Sequence, residues 1–459
     1  MSAMRRGACP SLPEPMATGD GLLARIAPAA PVTPEQLAGL AKLSRCHGNG
    51  IVEVSARGSL QIRGLTSATA TAFAEGVGAL GIALREGLAV ETGPLAGRDP
   101  NAAPDPRPLA QEIAQRALPL AGRLAPKASV IVDGGGALHL DGLTADIRLA
   151  ALDADRLALE AGGVPLGVVE RHVAVEAVSR LLALLAEQGP TARMAGLATL
   201  SSTQNSQRHP EVRAQRASKD VEAGRRPSGA SILRGSGYAR ALQDDVVLLS
   251  RSDSGDGIAL LRAALAGIVL TPTGSAHRRP PAEPIGTHAL GDGLFALGIG
   301  LPFGQTDHAA LSGLADLARR AGAYEIGTCF GRALLVIGLT EMAVDDVRRE
   351  AASLGFITDP RDPRRSVSAC PGRPACASGR IETRALATEL APLAGGRTLH
   401  ISGCTKGCAH PGKAYLTIVG LDGGAGLVVE GGPRDAPSLI APETELVVAA
   451  RRILERDGG

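Results

Sequence analysis

"LAGLAKLSRCHGNGIVEVSARGSLQIRGL" (residues 37–65) lies without a gap over "LSGLADLARRAGAYEIGTCFGRALLVIGL" (residues 311–339). Leu37, Leu40, Ala41, Leu43, Gly48, Leu60, Gly64 and Leu65 fall on Leu311, Leu314, Ala315, Leu317, Gly322, Leu334, Gly338 and Leu339. Upstream, "GDGLLARI" (19–26) falls on "GDGLFALG" (291–298) after a two-residue loop change. Isolated Leu and Ala matches are cheap in an Ala/Leu-rich chain, but two blocks repeated in the same order mark an internal duplication. Each copy reads alike. A strand follows the Gly-Asp-Gly turn. A helix with apolar residues at i, i+3 and i+4 ends at Gly48 or Gly322. Two strands come next, "IVEVSA" and "SLQIRGL" in the first copy, "YEIGT" and "ALLVIGL" in the second. A second helix, near 66–80 and 341–354, closes the unit. This order is half of a split ferredoxin-like arrangement.

An α/β segment follows each copy. After the first, "ASVIVDGGG" and "ALHLDG" read as a hairpin around Gly134–Gly136, and "DIRLAAL" continues the sheet. The triple glycine lacks the helix and the Lys-Ser/Thr ending of a phosphate loop. After the second, "RTLHISG" and "AYLTIVGL" flank a cysteine pair. The expected fold is therefore α+β: duplicated ferredoxin-like half domains, each followed by an α/β domain, with pseudo-two-fold symmetry. The expected boundaries are 15–90 and 285–357 for the half domains. The first α/β domain takes 91–202 and 231–284, the latter ending in a Pro-rich linker, and the second takes 358–459. The polar, basic stretch 203–230 carries no apolar period and reads as a solvated insertion.

The chain has 459 residues, enough for several cores, with five Phe, three Tyr and no Trp. So few aromatics argue against stacking-based single-strand nucleic-acid binding. A formal charge of +2 gives no global field for polyanions, so any anion recognition has to be local. No apolar h-region follows Arg5 and Arg6, and no apolar run approaches the ~18 residues of a membrane span. A soluble, cytoplasmic protein is expected. Seven cysteines, an odd number, disfavour a disulfide framework and favour a metal or redox site.

Four of those cysteines fall in the last fifth of the chain, as Cys370 and Cys376 (C-x5-C) and Cys404 and Cys408 (C-x3-C). Four thiolates suit zinc or an iron–sulfur cluster. Structural zinc prefers tighter C-x2-C knuckles, whereas the separate corners of a cubane accommodate wider spacing, so a [4Fe-4S] cluster is favoured over zinc. Cys46 and Cys329 read as small core or interface residues, and Cys9 has no evident metal partner.

C-x5-C followed by C-x3-C, behind a duplicated ferredoxin-like half domain, resembles the sirohaem-dependent nitrite and sulfite reductase family. The resemblance covers nearly the whole chain outside 203–230. "RRGACPSLPEPMATGDGLLARI" (5–26), "GPLAGRDPNAAPDPRPLA" (93–110) and "GLPFGQ" (300–305) are similar to the branch acting in aerobic cobalamin biosynthesis. Lys406, in "SGCTKGCAHPGKA", stands where the reductases more often have asparagine. That likeness implies a monooxygenase acting on precorrin-3A, a reduced tetrapyrrole with eight carboxylates, using O2 and an external electron donor. It further implies hydroxylation at C-20 with γ-lactone closure, a [4Fe-4S] cluster on Cys370, Cys376, Cys404 and Cys408, and a mononuclear non-haem iron. Neither a nucleic-acid nor a membrane partner is expected.

Eight carboxylates call for converging cations. Arg57 corresponds to the arginine of the family's T-x-R segment, and Arg63 lies on the strand that follows it. Arg332 takes the related place in the second copy, although Gly327 stands where the family usually has an arginine. With Lys406 beside the cluster, these are the expected substrate-binding residues. The nine histidines show no evident iron-binding motif. The alternatives are a sirohaem- and [4Fe-4S]-dependent nitrite or sulfite reductase and, from another class, a non-catalytic iron–sulfur electron carrier.

Overall fold

Thr33 starts the helix Pro34–His47 with a capping box, its hydroxyl accepting from the Gln36 N–H while the Gln36 side chain accepts from the Thr33 N–H. The equivalent helix of the second copy, His308–Arg320, is capped by Asp307, whose carboxylate accepts from Ala309 and Ala310. The repeated apolar positions turn inward. Leu37, Leu40, Ala41, Leu311, Leu314 and Ala315 are at most 2% exposed and share one core. The computed structural model describes residues 10–102, 104–199, 255–268, 270–271, 278–410 and 412–456. Cys9 and the expected insertion 203–230 lie outside the described residues.

In chain order the strands are β1 Met16–Thr18, β2 Gly21–Ile26, β3 Ile51–Val54, β4 Leu60–Leu65, β5 Ala89–Thr92, β6 Ser129–Asp133, β7 Ile147–Ala151, β8 Arg156–Ala161, β9 Val164–Glu170 and β10 Gly286–Ala289. They continue as β11 Phe295–Gly300, β12 Gln305–Asp307, β13 Glu325–Cys329, β14 Ala333–Leu339, β15 Val367–Ala369, β16 Leu399–Ser402, β17 Ala414–Leu421, β18 Gly424–Gly431 and β19 Leu439–Ala441. The first half domain forms the antiparallel sheet β1-β2-β4-β3, and the second forms β10-β11-β14-β13. The copies are also exchanged at their edges. β12, just before the second copy's helix, pairs with β3 of the first, and Val32, just before the first copy's helix, bridges Ile326 of β13.

Gly64 and Gly338, matched in the repeat, have φ of 74° and 96° and sit at equivalent bulges in the β2–β4 and β11–β14 ladders. Both need the left-handed backbone that glycine adopts without a Cβ penalty. A conserved fold irregularity in both copies confirms the duplication on a second, independent ground.

The two α/β domains repeat as well. β5-β6-β7-β8-β9 and β15-β16-β17-β18-β19 each run parallel, parallel, antiparallel, antiparallel along the sheet. The first core takes in Leu261 from the helix Gly255–Ala264 and Leu265 just after it. The second core is built on Val367, Leu399, Ile401, Leu416 and Ile418. One expectation fails. Gly134–Gly136 do not turn a hairpin, because β6 and β7 are parallel and residues 134–146 form the crossing loop between them. Cys329 is buried, but Cys46 is exposed on its helix and is no core residue. Among the described residues no helix is long and apolar enough to cross a membrane.

Candidate functional site

Cys370 follows the end of β15 and Cys404 follows the end of β16, so two adjacent parallel strands deliver both cysteine pairs to one sheet edge. Backbone groups shape the cradle. The Gly403 N–H donates to Cys370 Sγ at 3.1 Å, and the Arg380 N–H donates to Gly403 O at 2.7 Å. The Thr383 hydroxyl donates to Cys370 O at 2.6 Å, which ties the following helix to the loop. The first half domain closes the other side, where the Ala377 N–H donates to Gly19 O at 2.8 Å. A Cβ built on Gly19 would lie 2.2 Å from Cys376 Sγ, so the Gly-Asp-Gly turn touches the sulfur only because it lacks a side chain.

Burial, followed by repulsion from the neighbouring cysteines, pushes the Cys370 and Cys408 thiols up. A multivalent iron core would relieve that repulsion by binding the thiolates. The spacing also discriminates between metals. Tetrahedral Zn–S bonds of about 2.3 Å would hold sulfurs roughly 3.8 Å apart. Among the described residues, no three of the four cysteines bring their sulfurs within 4.8 Å of one another. Sulfurs so placed are too far apart for one tetrahedral ion in the arrangement seen.

The face of the first sheet that meets this domain is polar. Arg25 on β2, Gln61 on β4, Glu53 on β3 and Gln305 on β12 are successive register partners across four strands. Alternation sends Ala24, Ile26, Val52, Val54, Leu60 and Ile62 into the core on the opposite face. The C-terminal domain approaches the polar face at several points. Arg384 Nη2 donates to Gln305 O at 3.5 Å, Arg332 Nη2 donates to Ala409 O at 3.4 Å and to Ser368 Oγ at 3.3 Å, and Cys408 senses the charge of Arg63. Ser368 is the register partner of His400 on β16. Several groups in this layer lack partners. Arg25 Nε, both side-chain polar atoms of Gln305 and both ring nitrogens of His400 are buried without a hydrogen bond. Burial, the neighbouring His410 and Arg332 together push His400 down to about 4, so its ring is neutral at physiological pH.

The four expected substrate-binding cations have different settings. Arg57 donates to Glu91 at 2.8 Å and to Thr144 O at 2.8 Å, facing the first α/β domain. It lines a groove of about 220 Å³ together with Arg85, Arg98 and Arg107. Within that groove Arg98 pairs with Glu325 and Arg107 with Asp105, while Arg85 has no carboxylate partner among the described residues. Arg63 is held by Asp20 at 2.7 Å and by Glu53 at 2.8 Å, so its charge is already matched by carboxylates. Arg332 is partly buried, and burial pushes its guanidinium down. It takes the left-handed φ of 62° with its stem packed over Gly304. Lys406 is exposed between the cysteines, with Nζ 3.1 Å from Ser378 Oγ.

A separate group at Asp133, His139 and Asp141 brings three ligand atoms within 4.8 Å. It does not suit a mononuclear iron. Asp133 already accepts from the Gly135 and Leu140 N–H groups, Asp141 accepts from Arg279 N and Nε, and Arg279 supplies the positive charge. Burial and Arg279 push the His139 imidazole down, toward its neutral form, so the case against iron rests on the occupied carboxylates and the nearby guanidinium. Asp133 ends β6 and His139 and Asp141 lie in the loop after it, and β6 is the counterpart of β16, so an arginine–carboxylate knot occupies the matching edge of the first α/β domain.

Arg25, Gln305, Arg384 and His400 escape sequence reasoning. Their meeting depends on the exchange of β12 and on docking of the C-terminal domain, and no motif spacing encodes either.

Residues 14–80 and 288–354 match the model of the nitrite/sulfite reductase ferredoxin-like half domain, one match per copy. A precorrin-3B synthase from Sinorhizobium sp. is 35% identical over 99% of this chain and 89% of its own. A ferredoxin sulfite reductase of Mycobacterium tuberculosis is 30% identical over 33% of this chain and 30% of its own. The structure of the M. tuberculosis NirA protein superposes with a TM-score of 0.62 at 18% identity, covering 95% of this chain and 80% of that one, which shows a shared fold. In sequence the reductase match thus covers a third of the chain, whereas the synthase match runs its length. The chain is an oxidoreductase-type enzyme that belongs to the precorrin-3B synthase family, on the nitrite/sulfite reductase-like fold.

Proposed function

We propose that the chain hydroxylates precorrin-3A at C-20, with γ-lactone formation, in aerobic cobalamin biosynthesis. Overall, the substrate and O2, with two electrons from an external donor and two protons, give the oxygenated product and water. The near-full-length similarity to a precorrin-3B synthase carries this proposal. The site supports it, because partly buried guanidiniums without carboxylates beside the cysteine loops suit a polycarboxylate ligand.

Cys370, Cys376, Cys404 and Cys408 would hold a [4Fe-4S] cluster, which supplies one-electron transfer when bound. The remaining chemistry of the site belongs to the chain. β4 rises roughly 17–20 Å over its six residues, comparable to a tetrapyrrole with its side chains. It connects the arginine groove around Arg57 with the cluster edge near Arg63. Carboxylates at the macrocycle rim would be received by Arg57 and Arg85 on the side of the first α/β domain and by Arg332 and Lys406 on the side of the cysteine loops. Arg63, tied to Asp20 and Glu53, would brace the sheet beneath the ligand. The neutral His400 ring would add no charge behind Arg332. Among the described residues the one His–carboxylate triad, Asp133, His139 and Asp141, is already bonded within the chain and does not suit a mononuclear iron.

An iron and sulfide count with an anaerobic absorption spectrum separates this proposal from the reductase alternative. About four iron and four sulfide per chain with broad iron–sulfur absorption are expected. A strong Soret-like band from the purified protein would sink the synthase proposal in favour of a sirohaem reductase.

A further inference from the structure

Ion pairs account for most of the arginines around the polar layer. Arg57 has Glu91, Arg63 has Asp20 and Glu53, Arg98 has Glu325, Arg364 has Asp362 and Arg365 has Glu283. Arg332 and Arg384 stand apart. Both are partly buried, both contact only neutral oxygens, and neither lies within 4.0 Å of a carboxylate among the described residues. They occupy one neighbourhood. Both sense the carboxylate of Glu53 at a distance, Arg384 senses Asp307 more strongly and reaches the backbone of Gln305, and the stem of Arg332 packs on the adjacent Gly304. A guanidinium drawn out of water without a counter-ion is expensive, and a buried amide with both ends unpaired adds to that cost. Gln305 is 1% exposed with neither Oε1 nor Nε2 bonded, and His400, in the field of Arg332, is fully buried with neither nitrogen bonded. Two guanidiniums without a counter-ion and two buried side chains without hydrogen bonds thus share one layer beside the cysteine loop, a setting that an anionic ligand would complete.

We propose that Arg332 and Arg384 form a carboxylate subsite beside the cluster cysteines, with Gln305 as the positioning residue behind it, and that this subsite receives one side-chain carboxylate of the tetrapyrrole. The proposal rests on the substrate class named above. Arg384 is new to the site. It lies in the first turn of the helix Thr383–Leu390, which Thr383 ties to Cys370, so the helix that orders the cluster loop also sets one arm of the fork. A carboxylate between two guanidiniums accepts charge-assisted bonds from both, and the subsite therefore orients the macrocycle relative to the cluster edge.

The test is a fluorescence titration of the cluster-containing protein with a stable eight-carboxylate porphyrin. Arg384→Met and Arg332→Met should each weaken binding about 30-fold, the scale for removing one partner of a buried charge pair. Cluster absorption and melting temperature should hold, because losing an unpaired buried charge does not destabilise the fold. Arg384→Lys keeps the charge without the fork and should lose less than Arg384→Met, a graded response that a purely structural role would not produce. It also serves if the methionine variant folds poorly. Tight binding by the native chain with both methionine variants and Arg384→Lys binding equally well overturns the subsite and leaves the functional proposal standing. Failure of the native chain itself to bind the porphyrin overturns both.

Discussion

Cys404→Ser is expected to strip the protein of most of its iron and sulfide while leaving the fold intact. Cys404 closes the loop after β16, and the Gly403 N–H immediately before it is committed to Cys370 Sγ. Losing one thiolate therefore opens the cradle at its centre. No other thiol can substitute among the described residues, since Cys329 is buried in the second half domain and Cys46 is exposed on the helix Pro34–His47. A serine hydroxyl is a harder, more basic donor that suits iron–sulfur ligation poorly. The loss should exceed the roughly 10–100-fold that outer-shell partners contribute to metal affinity. Iron and sulfide assays after anaerobic reconstitution measure it, with Cys46→Ser as the control that keeps both. Full retention in Cys404→Ser would refute the assignment of the cluster.

Gly19→Ala should produce a similar loss from the opposite side of the cradle, through packing alone. The new Cβ would sit 2.2 Å from Cys376 Sγ, far inside van der Waals contact. Gly19 has no positive φ, so alanine brings a clash without backbone strain. Overpacking of this kind costs about 1–3 kcal/mol, and the displaced atom is a metal ligand, so the cost falls on cluster occupancy. Asp20 and its pairing with Arg63 need not move. Gly78→Ala is the matched control, because a Cβ there meets nothing within 4 Å and alanine favours a helix. Equal iron content in Gly19→Ala and the native chain would show that the Gly-Asp-Gly turn does not press on the site.

The duplication was legible because it is written in local signals: apolar residues at helical spacing, helices ended by Gly48 and Gly322, and the matched glycines Gly64 and Gly338. The cysteine spacing likewise announced a single site, and the adjacent strands β15 and β16 do bring both pairs to one edge. The polar layer was not legible. Arg25, Gln61, Glu53 and Gln305 come from four strands whose order is set by the exchange of β12, a contact that no local pattern encodes. Arg63 illustrates the same limit. Its identity suggested a substrate cation, yet Asp20 and Glu53, distant in sequence, take up its charge. The triple glycine misled in the other direction, because tight-turn chemistry at Gly134–Gly136 serves a crossing loop between parallel strands as well as it serves a hairpin.

Supplying the anaerobically reconstituted protein with precorrin-3A, a reductant and isotopically labelled dioxygen, and weighing the product by mass spectrometry, tests the oxygenase assignment most directly. A product carrying one labelled oxygen atom at C-20, formed together with the γ-lactone, is the expected result. Unchanged precorrin-3A from a protein with a full cluster complement would contradict it and favour an electron carrier built on the same fold.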